Sequence, residues 1–93
     1  KLKKAEYMSY RLGEEYDGVI SGIANFGFFV EIPNTIEGLV RIDTLTDDDY
    51  LYEQELYRLF GKRTRKTYTL GDKVRVRAEA VDVAKREIDY SLL

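Results

Sequence analysis

In GDKVRVRAEAVD, residues 71–82, Val74, Val76, Ala78 and Ala80 alternate with Arg75, Arg77 and Glu79. A period of two predicts a strand with one apolar and one charged face. YDGVISGIANFGFFVEI predicts two more strands, near 16–24 and 26–32, because Tyr, Val, Ile and Phe suit a pleated surface. Gly18, Gly22 and Gly27 interrupt them where bulges or sharp coiling are expected. PNTIEG predicts a turn leading into a short strand, 38–42. LYRLFGKRTRKTYTLG predicts a hairpin, with strands near 56–60 and 66–70 around a basic tip, and EIDYSLL closes as a last strand after the turn VAKR. The period changes at the beginning of the chain. Leu2, Ala5, Met8 and Leu12 recur at spacings of three and four, which predicts a short helix within 1–12, and Gly13 follows as its left-handed cap. TLTDDDYLY predicts one helical turn, with Thr46 as N-cap and three aspartates favoured by the helix dipole.

The order is therefore helix, three strands, a long charged insert and two strands. Five short coiled strands predict an all-β domain, a five-stranded OB-fold barrel of the partly open Greek-key type. A short N-terminal helix precedes it, and the helical turn and β-hairpin form an insert between strands 3 and 4. An immunoglobulin-like sandwich would need about seven strands in a chain of this length.

NFGFFV breaks the alternation. Phe26, Phe28 and Phe29 crowd around Gly27, so a strand through them would carry phenylalanine on both faces. The chain has 93 residues. A single domain of that size buries only about 60–65% of the surface its unfolded form exposes. Outward aromatic rings then imply a use.

Composition narrows that use. There is no cysteine and no histidine. Disulfides, thiolate–metal sites, Ser-His-Asp and Cys-His catalysis are excluded. No apolar run approaches the roughly 18 residues of a membrane span. The net charge is −2, but it is unevenly spread. Residues 43–55 carry six acids (Asp43, Asp47, Asp48, Asp49, Glu53, Glu55) and no base. Residues 58–77 carry eight bases against Asp72 alone, a local +7. A phosphate backbone meets the local field, so this stripe suits nucleic acid despite the acidic total. The competing interpretation of such charges is a solvated face. A second is mutual masking, six acids against the nearby bases.

DGVISGIANFGFFVEI, IEGLVRI and LGDKVRVRAEAVDVAKREIDYSLL together resemble the S1 RNA-binding domain, an OB-fold module of bacterial RNA-metabolising proteins. The matching pieces are a glycine-valine opening strand, FG-x-F-V, EGLV-x-I, LGD-x-V, a V-D before the last turn and a final I-x-x-S-L. They cover residues 13–93, and residues 1–12 are expected to lead in from a preceding domain. The long segment TLTDDDYLYEQELYRLFGKRTRKTYTLGD and the phrase VEIPNTIEGLV are similar to ribonuclease R, a family of processive 3′-to-5′ exoribonucleases. The resemblance implies that hydrolysis, with its clustered aspartates and magnesium, belongs to a separate domain of the parent chain. No cofactor and no metal are expected in this one.

The resemblance also implies site residues. The first and last phenylalanines of FG-x-F project outward in that family, and they match Phe26 and Phe29. A bulge at Gly27 would let both point out, leaving Phe28 and Val30 to the core. The family often has histidine where Arg41 stands, and an arginine can pair with phosphate or stack on a base. Asp82 matches an acid near the last turn, and the accompanying base falls on Lys85 or Arg86. Asp82 can equally serve as a turn-maker.

Other residues are read from pattern alone. Arg75 and Arg77 share a strand face and either line the groove or are solvated. Lys62, Arg63, Arg65 and Lys66 form a basic tip suited to capturing phosphates. Tyr57 and Tyr68 are read as hairpin packing, with stacking on bases as the alternative. Asp47, Asp48 and Asp49 either begin a helix or ligate magnesium.

The expected function is a non-catalytic module that binds single-stranded RNA by stacking and phosphate contacts, with low sequence specificity. The alternatives are a protein-docking OB module and the S1 domain of another RNA-metabolising parent, such as a phosphorolytic exonuclease or a ribosomal protein. The expected context is a monomeric piece of a longer cytoplasmic protein, in contact with the parent's other domains and with no membrane.

Overall fold

Two ten-residue strands, each bent by a bulge, frame the molecule. In a computed structural model, which describes residues 4–93, the elements are α1 (Lys4–Ser9), β1 (Glu15–Ala24), β2 (Gly27–Ile32), β3 (Ile36–Arg41), a 3-10 turn (Ile42–Thr44), β4 (Tyr50–Glu53), β5 (Arg58–Gly61), β6 (Thr67–Thr69), β7 (Lys73–Asp82) and β8 (Glu87–Leu92). β1, β2, β3, β8 and β7 close into a barrel in that order, with only the β3–β8 pair parallel. This is the five-stranded all-β architecture expected from the pattern.

The bulges fall where the strands must coil. β1 skips at Ser21, between the pairs Ile20–Val30 and Gly22–Phe29. β7 skips at Glu79, between Ala78–Tyr90 and Ala80–Asp89. The extra residue flips the alternation beyond it. Val76 and Ala78 are buried as expected, but Ala80 is exposed.

Alternation fills the interior with Ile20, Phe28, Val30, Ile36, Val40 and Val76. The short helix adds Ala5 and Met8 to the same core and lies against β7 and β8. Gly13 is left-handed as expected, with φ +88, but it does not cap the helix, which ends at Ser9; its N–H donates to Ala78 O on β7 at 2.8 Å. Leu12 is exposed, and Leu2 lies outside the described residues.

The insert differs from expectation in one respect. The helical turn over TLTDDDYLY is absent. A 3-10 turn forms earlier, at Ile42–Thr44, and Tyr50–Glu53 extends as β4. β4, β5 and β6 make a separate antiparallel three-stranded sheet. Tyr50, Leu59 and Tyr68 alternate onto its inner face and are buried. Burying these side chains against the barrel outweighs the weak helical preference of three aspartates. Tyr68 stacks on Phe28 with ring centroids 4.9 Å apart, so the insert and the barrel share one core.

Candidate nucleic-acid interface

β2 sends Phe28 and Val30 inward and Phe29 outward by simple alternation. Phe29 stands opposite Gly22 on β1 and Leu39 on β3, and Leu39 is abreast of Asp89 on β8. A Cβ at Gly22 would come 3.3 Å from Phe29 Cδ2, so the ring rests over bare backbone.

Phe26 reaches the same face by a different route. The expected bulge at Gly27 is absent, because Gly27 pairs regularly with Ala24 and Arg41. Phe26 instead occupies the two-residue turn between β1 and β2. Gly27 has φ +149, and a Cβ there would lie 2.1 Å from Val40 O, so only glycine fits where the chain re-enters the sheet. Ile42 N–H donates to Phe26 O at 2.8 Å and fixes the turn. The two rings meet edge to face, with centroids 6.1 Å apart and planes at 87°. Phe26 is 48% exposed and Phe29 is half-buried.

Arg41 stands across from Gly27, beside the Phe26 turn. Its Nη2 lies 3.5 Å from Asp89 Oδ1. Asp89 was not among the sequence candidates. The signal that reveals it is the alternation in EIDYS, where buried Ile88 and Tyr90 leave Asp89 facing out. One step further along the face come two pairs of carboxylates, Glu31 opposite Glu37 and Asp82 opposite Glu87. The face is thus uneven, with aromatic rings and Arg41 at one end, and four acids with Lys85 and Arg86 on the turn beside them at the other.

Asp82, Lys85 and Arg86 belong to the acidic end, away from Phe26. Asp82 Oδ1 accepts the Lys85 N–H at 3.0 Å and closes the β7–β8 turn, in which Arg86 has φ +58. Arg75 and Arg77 lie on the β1–β7 seam instead. Arg75 Nη1 donates to Asp17 Oδ1, and Arg77 Nη2 to Glu15 Oε2, each at 2.9 Å. Both guanidiniums are therefore engaged by cross-strand carboxylates.

The acidic and basic segments of the insert close on each other. Asp48 Oδ2 accepts the Thr64 N–H and hydroxyl, both at 2.7 Å, and the Arg63 N–H at 3.0 Å. Desolvation pushes the Asp48 carboxyl up. The hydrogen bonds from Thr64, Asp49 and Arg63 outweigh it and hold the group at about 2. Lys66 Nζ donates to Asp47 Oδ2 at 3.1 Å, and this bond holds the Asp47 carboxyl below its ordinary range. Arg63 Nη2 reaches Asp47 O at 2.6 Å. Two of the three aspartates therefore cap the basic turn. Among the described residues no group of three or more acidic side chains is placed to hold a metal ion. Lys62 and Arg65 make no ion pair among the described residues.

Tyr57 joins the insert to the barrel. Ile23 N–H on β1 donates to Tyr57 Oη at 3.4 Å, which sets the start of β5 beside the hairpin that carries Phe26.

Comparison with known proteins gives the family. The family model of the S1 RNA binding domain matches residues 9–93. Ribonuclease R of Aquifex aeolicus is 50% identical over 91 residues, which are 97% of this chain and 13% of that protein. Ribonuclease R of Escherichia coli is 43% identical over 91 residues, 97% of this chain and 11% of that one. The structure of Mycoplasma genitalium RNase R in complex with ribose-methylated single-stranded RNA superposes with a TM-score of 0.90 at 29% identity, covering 96% of this chain and 14% of that one. The chain therefore spans only about an eighth of the curated relatives it matches.

Proposed function

The chain belongs to the S1 RNA binding domain family, and on that basis we propose that it is a non-catalytic module that holds single-stranded RNA for a hydrolytic 3′-to-5′ exoribonuclease of the ribonuclease R type. The observation that carries the proposal is the pair Phe26 and Phe29, edge to face on the outer surface with Arg41 beside them. Bases stack on such rings whatever their sequence, at about 1–3 kcal/mol each. Arg41 supplies a phosphate or base contact. At the other end the four acids Glu31, Glu37, Asp82 and Glu87 outnumber Lys85 and Arg86, which disfavours phosphates there, so the strand runs along the Phe26 side. Lys62 and Arg65 add long-range attraction, whereas Arg75, Arg77, Arg63 and Lys66 are already engaged by the chain's own oxygens. RNA hydrolysis, in this proposal, takes place in another domain of a cytoplasmic parent.

An amide-shift NMR titration with a short single-stranded RNA, at low and at moderate salt, tests the proposal. Shifts are expected around Phe26, Phe29 and Arg41, and Phe29→Ala should weaken the binding they report by about fivefold or more. If about three to five phosphates are neutralised, log affinity should fall against log salt with a slope of about −2 to −3.5. No shifts even at low salt would favour a docking module that leaves RNA contact to the parent's other domains.

A further inference from the structure

The insert sheet has an outer face as well as a buried one. Leu51, Phe60 and Thr67 pair across β4, β5 and β6. They alternate with Tyr50, Leu59 and Tyr68, which are buried toward the barrel. The solvent face of such a sheet is ordinarily polar. Here its centre is a phenylalanine beside a leucine that is 45% exposed.

Two guanidiniums approach the Phe60 ring. Arg58 Cζ is 5.3 Å from its centroid and Arg65 Cζ 5.8 Å. Arg58 is neutralised by Glu53, whose Oε1 lies 2.5 Å from Arg58 Nε. Arg65 remains unpaired among the described residues. Its backbone has φ +67, and its N–H donates to Gly61 O at 3.0 Å, so the turn sets it beside the ring. Lys62, on the same turn, is exposed. The neighbouring acids Asp47 and Asp48 are tied into that turn by Lys66 and Thr64.

We propose that this outer face is a second subsite for single-stranded RNA, in which Phe60 stacks one base while Arg65 and Lys62 neutralise the adjoining phosphates. It rests on the RNA-binding function proposed above and extends the site beyond the barrel. The chemistry favours nucleic acid over a protein partner. The apolar area is one ring and one leucine, and the charge around it is cationic, which fits a base carried between phosphates. The bond between Ile23 N–H and Tyr57 Oη ties the insert sheet to the hairpin that carries Phe26, so the two faces belong to one folded unit.

The test compares affinities for a tetranucleotide and for an RNA of about twelve residues, within the site sizes such barrels use. Phe60→Ala should weaken the longer RNA by about fivefold or more and leave the tetranucleotide unchanged. Phe60→Tyr, which keeps a π-face, should restore the longer RNA's affinity. An affinity for the longer RNA within about twofold of wild type in Phe60→Ala overturns the subsite. So does an equal loss for both lengths, which would mean that the change acts through the fold. Phe29→Ala separates the two proposals. If it weakens both RNAs while Phe60→Ala weakens neither, the barrel face binds RNA and only the second subsite fails. If Phe29→Ala weakens neither, the barrel-face proposal fails, and the Phe60 result still stands as its own measurement.

Discussion

The Phe29 ring lies across Gly22, the residue it faces on the neighbouring strand, with room for hydrogen but not comfortably for a methyl group. Gly22 is therefore part of the stacking surface although it has no side chain. Gly22→Val should tilt the ring away from β1. Its backbone has no positive φ, so the strand itself accepts valine. RNA affinity is expected to fall by part of the roughly 1–3 kcal/mol that a stacked base contributes, with the thermal midpoint nearly unchanged. Fluorescence anisotropy with labelled RNA, alongside a melting curve, checks both halves. Unchanged affinity would mean that bases do not use this ring.

Asp89 restrains Arg41 at 3.5 Å, and both groups are well exposed. A pair of this kind contributes little to stability. Its consequence is for binding, since Asp89 competes with phosphate for the guanidinium. Asp89→Asn should raise RNA affinity by about two- to fourfold, and Arg41→Ala should erase that gain. A double-mutant cycle on binding measures this. An affinity that falls in Asp89→Asn would show that Asp89 contacts the RNA itself.

Asp48 predicts how the insert responds to acid. Its carboxyl sits at about 2 in the folded chain, below the ordinary value of about 3.9. A depressed acid contributes stability above its unfolded value and loses it as pH falls through the folded one. Asp47, lowered by its bond to Lys66, acts in the same direction. Between about pH 4 and pH 2 the amides of residues 47–49 and 61–66 should move before those of Phe28 and Ile20. In Asp48→Ala much of that early step should already be present at neutral pH. A single concerted transition of all amides would refute this.

Tyr68 couples the insert to the barrel through its stack on Phe28. Tyr68→Ala removes a buried ring from the shared core, at a cost of about 3–5 kcal/mol. Hydrogen exchange in β4–β6 should then exceed that in β1–β3, and the wild type is expected to open more nearly as one unit. Equal protection in the variant would mean that the insert is held by other contacts.

Much of the barrel was legible because it rests on local alternation. EIDYS, FFV and KVRVRA each state which side chains face the core, and the order of the glycine- and valine-marked strands matches the barrel closely. Phe29 follows directly from its neighbours, since Phe28 and Val30 must be inside. Family resemblance added Phe26, whose outward position no alternation explains.

What remained hidden depends on residues far apart in sequence. Whether Arg75 and Arg77 are free depends on Glu15 and Asp17, about sixty positions earlier, which β1–β7 pairing brings within 2.9 Å. The three aspartates look like a helix start until Thr64 and Lys66 arrive to receive two of them. The bulge at Glu79, invisible in an unbroken alternation, turns Ala80 outward. The amino-acid sequence by itself determined which face of each strand is apolar up to its bulge, because side-chain direction in a regular strand is a local, two-residue property. Only the tertiary structure decided which charges are already neutralised and which rings share a face, because those depend on closure of the barrel and docking of the insert.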